Sequence, residues 1–234
     1  TIRILINAGV NPENIVIADS KGIIHPGRGD LEDVKYDVKR HLAQITNPDR
    51  ISGGQEKVFE GADVVFCYTK PGPDVVKKEW VAKMAKDAIL FACANPVPEI
   101  WPWEAKEAGA RIVATGRSDF PDQVNNSLIF PAVFRGTLEV RASAITDDMC
   151  IAAAKTLSDC AEKIGLHEDY LIPTMDQTWV YPQVAASVGA KAIEQGITKI
   201  TLSREDLVKV STEKITIAQE MTRALMKEGL IKSM

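Results

Sequence analysis

Asn95 stands where the apolar run Ala88 to Ala94 stops, because Pro96 and Pro98 forbid a strand from continuing. A run that is apolar on both faces marks a covered parallel strand, and open α/β sheets bind ligands beyond the carboxyl ends of such strands. Asn95 therefore belongs at a crevice. The next apolar run, Ile112-Val113-Ala114, ends in Thr115-Gly116-Arg117-Ser118-Asp119-Phe120-Pro121, and the pair Asn125-Asn126 follows. Two adjacent strand ends thus present amides to one place. The competing reading for each Asn is a turn residue that hydrogen-bonds its own backbone.

A further candidate is acidic. Ile15-Val16-Ile17-Ala18-Asp19 reads as a buried strand that closes on a carboxylate. In a dinucleotide-binding βαβ unit such an acid lies about 20 residues beyond a glycine-rich turn and accepts hydrogen bonds from the adenosine ribose. A turn or helix cap is the plainer alternative for Asp19. Counting back from it puts the glycine-rich turn at or before Thr1, so the chain is expected to be a fragment of a longer protein. Ile2, Leu5 and Ile6 at helical spacing, stopped by Ala8-Gly9, agree with an element already under way at the start.

The elements that must carry these residues alternate. Helices are expected over Lys35 to Ile45 and Asp74 to Ala85, and strands over Ala62 to Tyr68, Ala88 to Ala94 and Arg111 to Thr115. That alternation is the pattern of a doubly wound, Rossmann-like parallel sheet, here with its first βα unit truncated. Gly22 to Asp30 is too rich in glycine and proline for a regular element, and the mixed charges of Glu32, Asp33, Lys35, Asp37, Lys39 and Arg40 read as a solvated helix face.

After about residue 145 the pattern turns helical. Ile145, Met149, Ala152, Ala153, Leu157, Cys160, Ala161 and Ile164 recur at helical spacing, with Thr146 to cap the start and Gly165 to end it. Gln183 to Glu194 carries Ala185, Ala186, Gly189 and Ala190, small enough for close helix approach. Ser203 with Asp206 makes a capping start, and a last helix is expected from about Thr212 to Lys227. The expected division is a nucleotide-binding domain over 1–145 and a helical segment over 146–234.

Composition narrows the class. The 234 residues are 45% hydrophobic and 26% charged, an ordinary globular balance, and the net charge of −4 offers no footprint for nucleic acid or an anionic membrane. No apolar run approaches the roughly 18 residues of a membrane span, and the cytoplasm is the expected location. The four cysteines, at 67, 93, 150 and 160, have no C-x-x-C spacing and read as buried thiols, with disulfides or a metal site as the alternatives.

The ordered runs from Ala94-Asn95-Pro96-Val97-Pro98-Glu99-Ile100, through Glu104 to Pro121, then Gln123-Val124-Asn125-Asn126 and Phe130-Pro131-Ala132-Val133-Phe134-Arg135-Gly136, closely resemble the malic enzyme family of prokaryotic type. Glu139-Val140-Arg141-Ala142-Ser143 with Ile145-Thr146 is similar to it as well. The resemblance implies oxidative decarboxylation of malate to pyruvate and carbon dioxide. It implies a nicotinamide cofactor as hydride acceptor and Mg²⁺ or Mn²⁺ to stabilise the charge that builds on the ketone oxygen. It assigns Asn95 and Asn126 to the substrate carboxylate and Asn95 and Asn125 to the cofactor. Amides suit that task because they orient a carboxylate without adding charge. Asp19 becomes the ribose ligand. Tyr68-Thr69-Lys70-Pro71-Gly72 resembles the family's small-residue loop under the cofactor, which makes Thr69 a cofactor residue, although Thr69-Lys70 departs from the usual Ser-Ala. Asp19 speaks for NAD, while Lys21 keeps NADP as the alternative. A homodimer or larger homo-oligomer is implied.

The family's acid/base pair, its metal ligands and its phosphate turn all belong to sequence before Thr1. No catalytic residue and no metal ligand is assigned to this chain. His25, His41 and His167 lack ligand spacing, and Asp119 and Asp122 sit in a turn-rich segment that favours capping. Two other readings stay open: another two-domain Rossmann dehydrogenase of small amino or keto acids, and a non-catalytic nucleotide-binding module.

Overall fold

The computed structural model describes residues 1–232, which form two compact units that divide between Asn125 and Asn126. The division falls ahead of the composition change near 145, because the helix that opens the second unit packs with the helices that follow it.

The first unit begins with α1 (Ile2–Asn7), stopped where expected, with Gly9 at φ 104°. The segment ending at Asp19 differs from expectation. Only β1 (Ala18–Asp19) is regular, and it pairs antiparallel with β2 (Gly22–Ile23) instead of joining a parallel sheet. The backbone groups around it are already spent: Ile24 N donates to Ile17 O at 2.7 Å, Ile23 N to Gly53 O at 2.9 Å and Asn47 N to Ile15 O at 3.0 Å. The stretch 29–32 forms a 3-10 turn where a loop was expected. A second 3-10 turn, Val34–Tyr36, runs into α2 (Asp37–Ile45), so the expected helix starts two residues late as an α-helix.

β3 (Val64–Cys67), β4 (Ile89–Ala92) and β5 (Ile112–Thr115) form a parallel sheet in the order β3-β4-β5, the α/β class expected from the alternation. The helix expected over Asp74 to Ala85 shrinks to α3 (Lys78–Val81). Val76 N donates to Glu99 O at 3.0 Å, and Ala85 N, which a regular helix would turn to Val81 O, donates to Ala62 O at 3.0 Å, so the expected last turn is not helical. α4 (Pro102–Glu107) crosses over between β4 and β5, with Pro102 at its first position. Leu90, Ala92 and Ala105 are fully buried in the core between sheet and crossovers, with Val113 and Ile100 beside them.

The second unit is helical: α5 (Phe130–Glu139), α6 (Asp147–Ile164), α7 (Val180–Glu194) and α8 (Arg204–Lys227). α6 has the expected ends, with Thr146 Oγ1 accepting from Met149 N at 3.3 Å and Gly165 at φ 117°. α7 starts earlier than expected because Pro182 is tolerated in its first turn, where no i−4 bond is lost. α8 is one continuous helix from its Ser203 cap, not a separate helix from Thr212. Met149, Ala153, Val184, Ala185, Val188 and Leu207 are fully buried in its core. Large aliphatic side chains of this kind contribute about 1.5–3 kcal/mol each. α8 enters that core through Leu207, with Val208 packed beside it and Ser211 buried one turn on, and Lys214 is tied to the buried Glu139 of α5 at 2.7 and 2.8 Å.

α5 and α7 touch backbone to backbone at Gly136. A Cβ there would lie 2.2 Å from Ala185 O and 3.0 Å from Val188 Cβ, so only glycine permits the contact. Gly136→Ala is therefore expected to push the helices apart and to cost about 1–3 kcal/mol. A lowered urea midpoint measures this; an unchanged midpoint would contradict the packing described.

Candidate functional site

Cys67, Ala92 and Thr115 end the three parallel strands, and they are direct partners across the sheet. The segments that follow leave from one edge, the edge at which parallel sheets present ligand sites. Asn95 emerges beyond β4 with its side chain exposed, joined to Pro96 by a cis peptide bond. Gly116, buried at the end of β5, makes room for it: a Cβ at 116 would lie 2.8 Å from Asn95 Nδ2. Asn125 returns to the same glycine and donates from Nδ2 to Gly116 O at 2.8 Å. It is brought back because the loop after β5 closes on the strand it left, with Thr115 N donating to Asp122 O at 3.2 Å and Val124 N to Thr115 O at 2.7 Å.

The structure therefore gathers Asn95 and Asn125 around Gly116. Asn126, exposed, is the first residue of the second unit and opens the 3-10 turn Asn126–Leu128. Arg117 donates from Nη1 to Pro96 O at 2.9 Å and holds Asp119 in a two-point pair at 2.8 and 2.6 Å, so Asp119 is a turn residue. Two of the three histidines likewise serve turns: His25 Nδ1 accepts from Gly27 N at 3.1 Å and His167 Nδ1 from Asp169 N at 3.3 Å, while His41 lies exposed in α2.

Thr69, exposed beyond β3, is fastened to a residue that sequence reasoning passed over as motif only. Glu99 is fully buried. Its Oε1 accepts from Thr69 N at 2.9 Å and Thr69 Oγ1 at 3.2 Å, and its Oε2 accepts from Ala94 N at 3.0 Å. A carboxylate out of contact with water must be met by donors, and here two loops supply them. The available signal was an acid set among Val97-Pro98 and Ile100-Trp101. Burial, with Glu99's charge added, pushes the Cys93 thiol up to about 11 and the buried Cys67 thiol higher still.

Asp19 lies in a knot of charge. Arg28 donates to Oδ1 at 2.8 Å and to Oδ2 at 3.3 Å, Lys39 to Oδ2 at 2.6 Å and the Lys21 amide to Oδ1 at 2.9 Å. Arg28, whose side chain is only 9% exposed, also pairs with Asp30 at 2.8 Å, and Lys21 pairs with Asp30 at 3.0 Å. Burial alone would raise the Asp19 pKa. The bonds from Arg28, Lys39 and the Lys21 amide outweigh it and bring the group from 3.8 to about 2. A cavity of about 640 Å³ opens beside this knot, lined among others by Ser20, Lys21, Arg28, Gly54, Gln55 and Trp80. It does not reach the carboxamides. Among the described residues no group of three His, Cys, Asp or Glu side chains could hold a metal ion, and no helix is long and apolar enough to cross a membrane.

A parallel sheet with amides gathered at its carboxyl edge, in one unit with a hairpin that carries Asp19, defines a ligand-binding α/β domain of the nucleotide-binding class. Comparison with known proteins sharpens this: the family described as "Malic enzyme, NAD binding domain" matches residues 7–195, and the chain belongs to the malic enzyme family. It is 44% identical over 219 residues to the bifunctional malic/malolactic enzyme of Bacillus subtilis, covering 94% of this chain and 52% of that protein. It is 42% identical over 197 residues to the NAD-dependent malic enzyme of Geobacillus stearothermophilus, covering 84% and 39%. The crystal structure of Entamoeba histolytica malic enzyme superposes on it with a TM-score of 0.95 and 43% identity, over 100% of this chain and 48% of that one. The chain thus spans about half the length of the curated relatives it matches.

The lowered pKa of Asp19 makes a stability prediction with a definite sign. A carboxyl held below its unfolded value contributes stability that is complete above 3.8 and is lost as the pH falls towards about 2. Urea midpoints measured across that acid range are expected to fall in the unmodified chain and to fall less in Asp19→Asn. Equal slopes would show that the ion pairs add nothing.

Proposed function

We infer that this chain forms the cofactor-contacting and substrate-contacting part of an enzyme that oxidises and decarboxylates malate to pyruvate and carbon dioxide. One arrangement carries the reading: the carboxamides of Asn95 and Asn125, drawn to the side-chain-free Gly116 where β4 and β5 end. The Asn95 amide fills the space that Gly116 leaves, and the two amides together offer both donors and acceptors to a group laid against the strand ends. The nicotinamide dinucleotide, when bound, supplies the hydride acceptor. Asn125 then faces the nicotinamide, Asn95 serves the cofactor and one substrate carboxylate, and Thr69 lies under the cofactor. Asn126 is assigned to the substrate carboxylate by the likeness of its motif alone. Asp19 takes the ribose. By the likeness to the family, Mg²⁺ or Mn²⁺ is left to other residues of the enzyme, and no step assigned to this chain passes through a metal.

NAD is the first reading for the cofactor. A specific observation also favours NADP: around Asp19 and Asp30 stand Lys21, Lys39 and Arg28, three cations against two carboxylates, a net charge of +1 in the cluster. That balance does not repel a 2′-phosphate. A homodimer or larger homo-oligomer, located in the cytoplasm, completes the proposal; sedimentation velocity tests the assembly.

Titration of NADH and NADPH, followed by nucleotide fluorescence, tests the site. Saturable binding is expected, and Asn125→Ala is expected to weaken it by about tenfold, the loss of about 1.4 kcal/mol. No binding of either dinucleotide would overturn the reading. Malate-dependent dinucleotide reduction by these 234 residues alone is expected to stay at background; a rate well above it would refute the assignment of acid/base chemistry to other residues.

A further inference from the structure

Glu99 has no part in the reading above, yet among the described residues it is the one acid that is fully buried beside the candidate site. Its surroundings are specific. Oε1 takes both polar groups of Thr69, at 2.9 and 3.2 Å, and Oε2 takes Ala94 N at 3.0 Å. Its main-chain oxygen takes Val76 N at 3.0 Å, at the far end of the loop that begins with Thr69. Two backbone N–H groups, which can only donate, and the Thr69 hydroxyl meet the carboxyl group.

The loops joined in this way are the ones after β3 and β4. Thr69 lies two residues past the end of β3, and Ala94 lies next to Asn95. Between these points no strand ladder operates, because the last ladder bond on this side is Cys93 N to Cys67 O at 3.1 Å. Beyond it the spacing of the two loops is set by a side chain. A neutral side chain of the same shape could not do this. Gln offers one carbonyl and one NH₂, and the NH₂ would point its hydrogens at an N–H, releasing one loop while keeping the other.

We propose that Glu99 is a positioning residue for the dinucleotide site: its buried carboxylate fixes the Thr69 loop against the Ala94-Asn95 turn, so that the floor of the cofactor site and its amide ligand keep one separation. The proposal rests on the reading of this edge as a dinucleotide site. It assigns Glu99 no contact with cofactor or substrate. The residue acts through the two segments it joins, and it adds negative charge that the Cys93 thiol senses, a second and independent report of its state.

The test uses the full chain with NADH as the probe and amide hydrogen exchange as the structural readout. In the unmodified chain the amides of Thr69 and Ala94 are expected to be protected like those of Leu90, although both lie outside the strands. Rapid exchange at both overturns the proposal without any variant. In E99Q, exchange at Thr69 or Ala94 is expected to accelerate by at least tenfold while Leu90 and Val113 hold. NADH binding should weaken by about tenfold, as loss of a charge-assisted bond predicts. The Cys93 titration midpoint should move down from about 11. A merely structural loss would speed exchange across the whole sheet instead. Unchanged loop exchange and NADH affinity in E99Q overturn the proposal alone. Failure of the unmodified chain to bind NADH overturns the dinucleotide reading and this proposal with it, even where the loop amides are protected.

Discussion

Everything at the candidate site depends on where three parallel strands stop. The ladder pairs Val64 with Ile89 and Ile112 at one end, and Cys67 with Ala92 and Thr115 at the other, without a bulge or slip. Parallel pairing with level ends means that each following loop leaves the sheet at the same height. A shift of one residue in any strand would invert its side chains and move its loop by about 3.3 Å. Buried residues enforce the register, because Leu90 and Ala92 occupy the covered positions of the middle strand and have no alternative place there. The closeness of Asn95, Gly116 and Asn125 is thus a property of the sheet before it is a property of the loops.

The region around Asp19 is built on a different principle. There the sheet contributes nothing, and a short hairpin is held by ion pairs among Asp19, Arg28, Lys39, Asp30 and Lys21. The Arg28–Asp19 pair, with side chains 9% and 17% exposed, interacts more strongly than an exposed one but carries a desolvation cost, and with Lys39 it keeps both carboxylate oxygens of Asp19 occupied. A ribose hydroxyl approaching Asp19 meets a carboxylate that is already bonded, so it joins the network or displaces a lysine from it. The charge presented to a nucleotide at this hairpin is the sum over five side chains, which is why a single acid is a poor guide to cofactor choice.

Much of this was legible in the residue order. The runs Val64–Cys67, Ile89–Ala92 and Ile112–Thr115 announce themselves as strands, although the cover expected on both faces is not there for β3, whose Val64 and Phe66 are exposed, and α6 carries its own start and stop in Thr146 and Gly165. The strand ends, and the amides beyond β4 and β5, followed from the prolines and glycine that interrupt those runs. The failures share a cause. Ile15 to Asp19 and Asp74 to Ala85 have the local composition of a strand and a helix, but their backbone groups are claimed by other partners, Ile24 and Asn47 in one case and Glu99 and Ala62 in the other. Glu99 was invisible for the same reason: its significance lies in donors 5 and 30 positions away, which no local pattern records. Asn126 was read with Asn125 as a pair, yet the division of the chain passes between them.

α8 anchors itself early and then leaves its support. Leu207, Ser211 and the Lys214 pair with Glu139 hold its first three turns, whereas Ile217, Met221 and Leu225 stand exposed farther along. Mechanically it is a cantilever, rooted in the core at one end and loaded by water along the rest. Its outer half draws cohesion from intrinsic helix propensity and i→i+4 bonding, which in water are marginal over so short a length. Fraying therefore starts at the outer tip and dies out at Lys214, and the bundle can lose those outer turns without losing any of its interior.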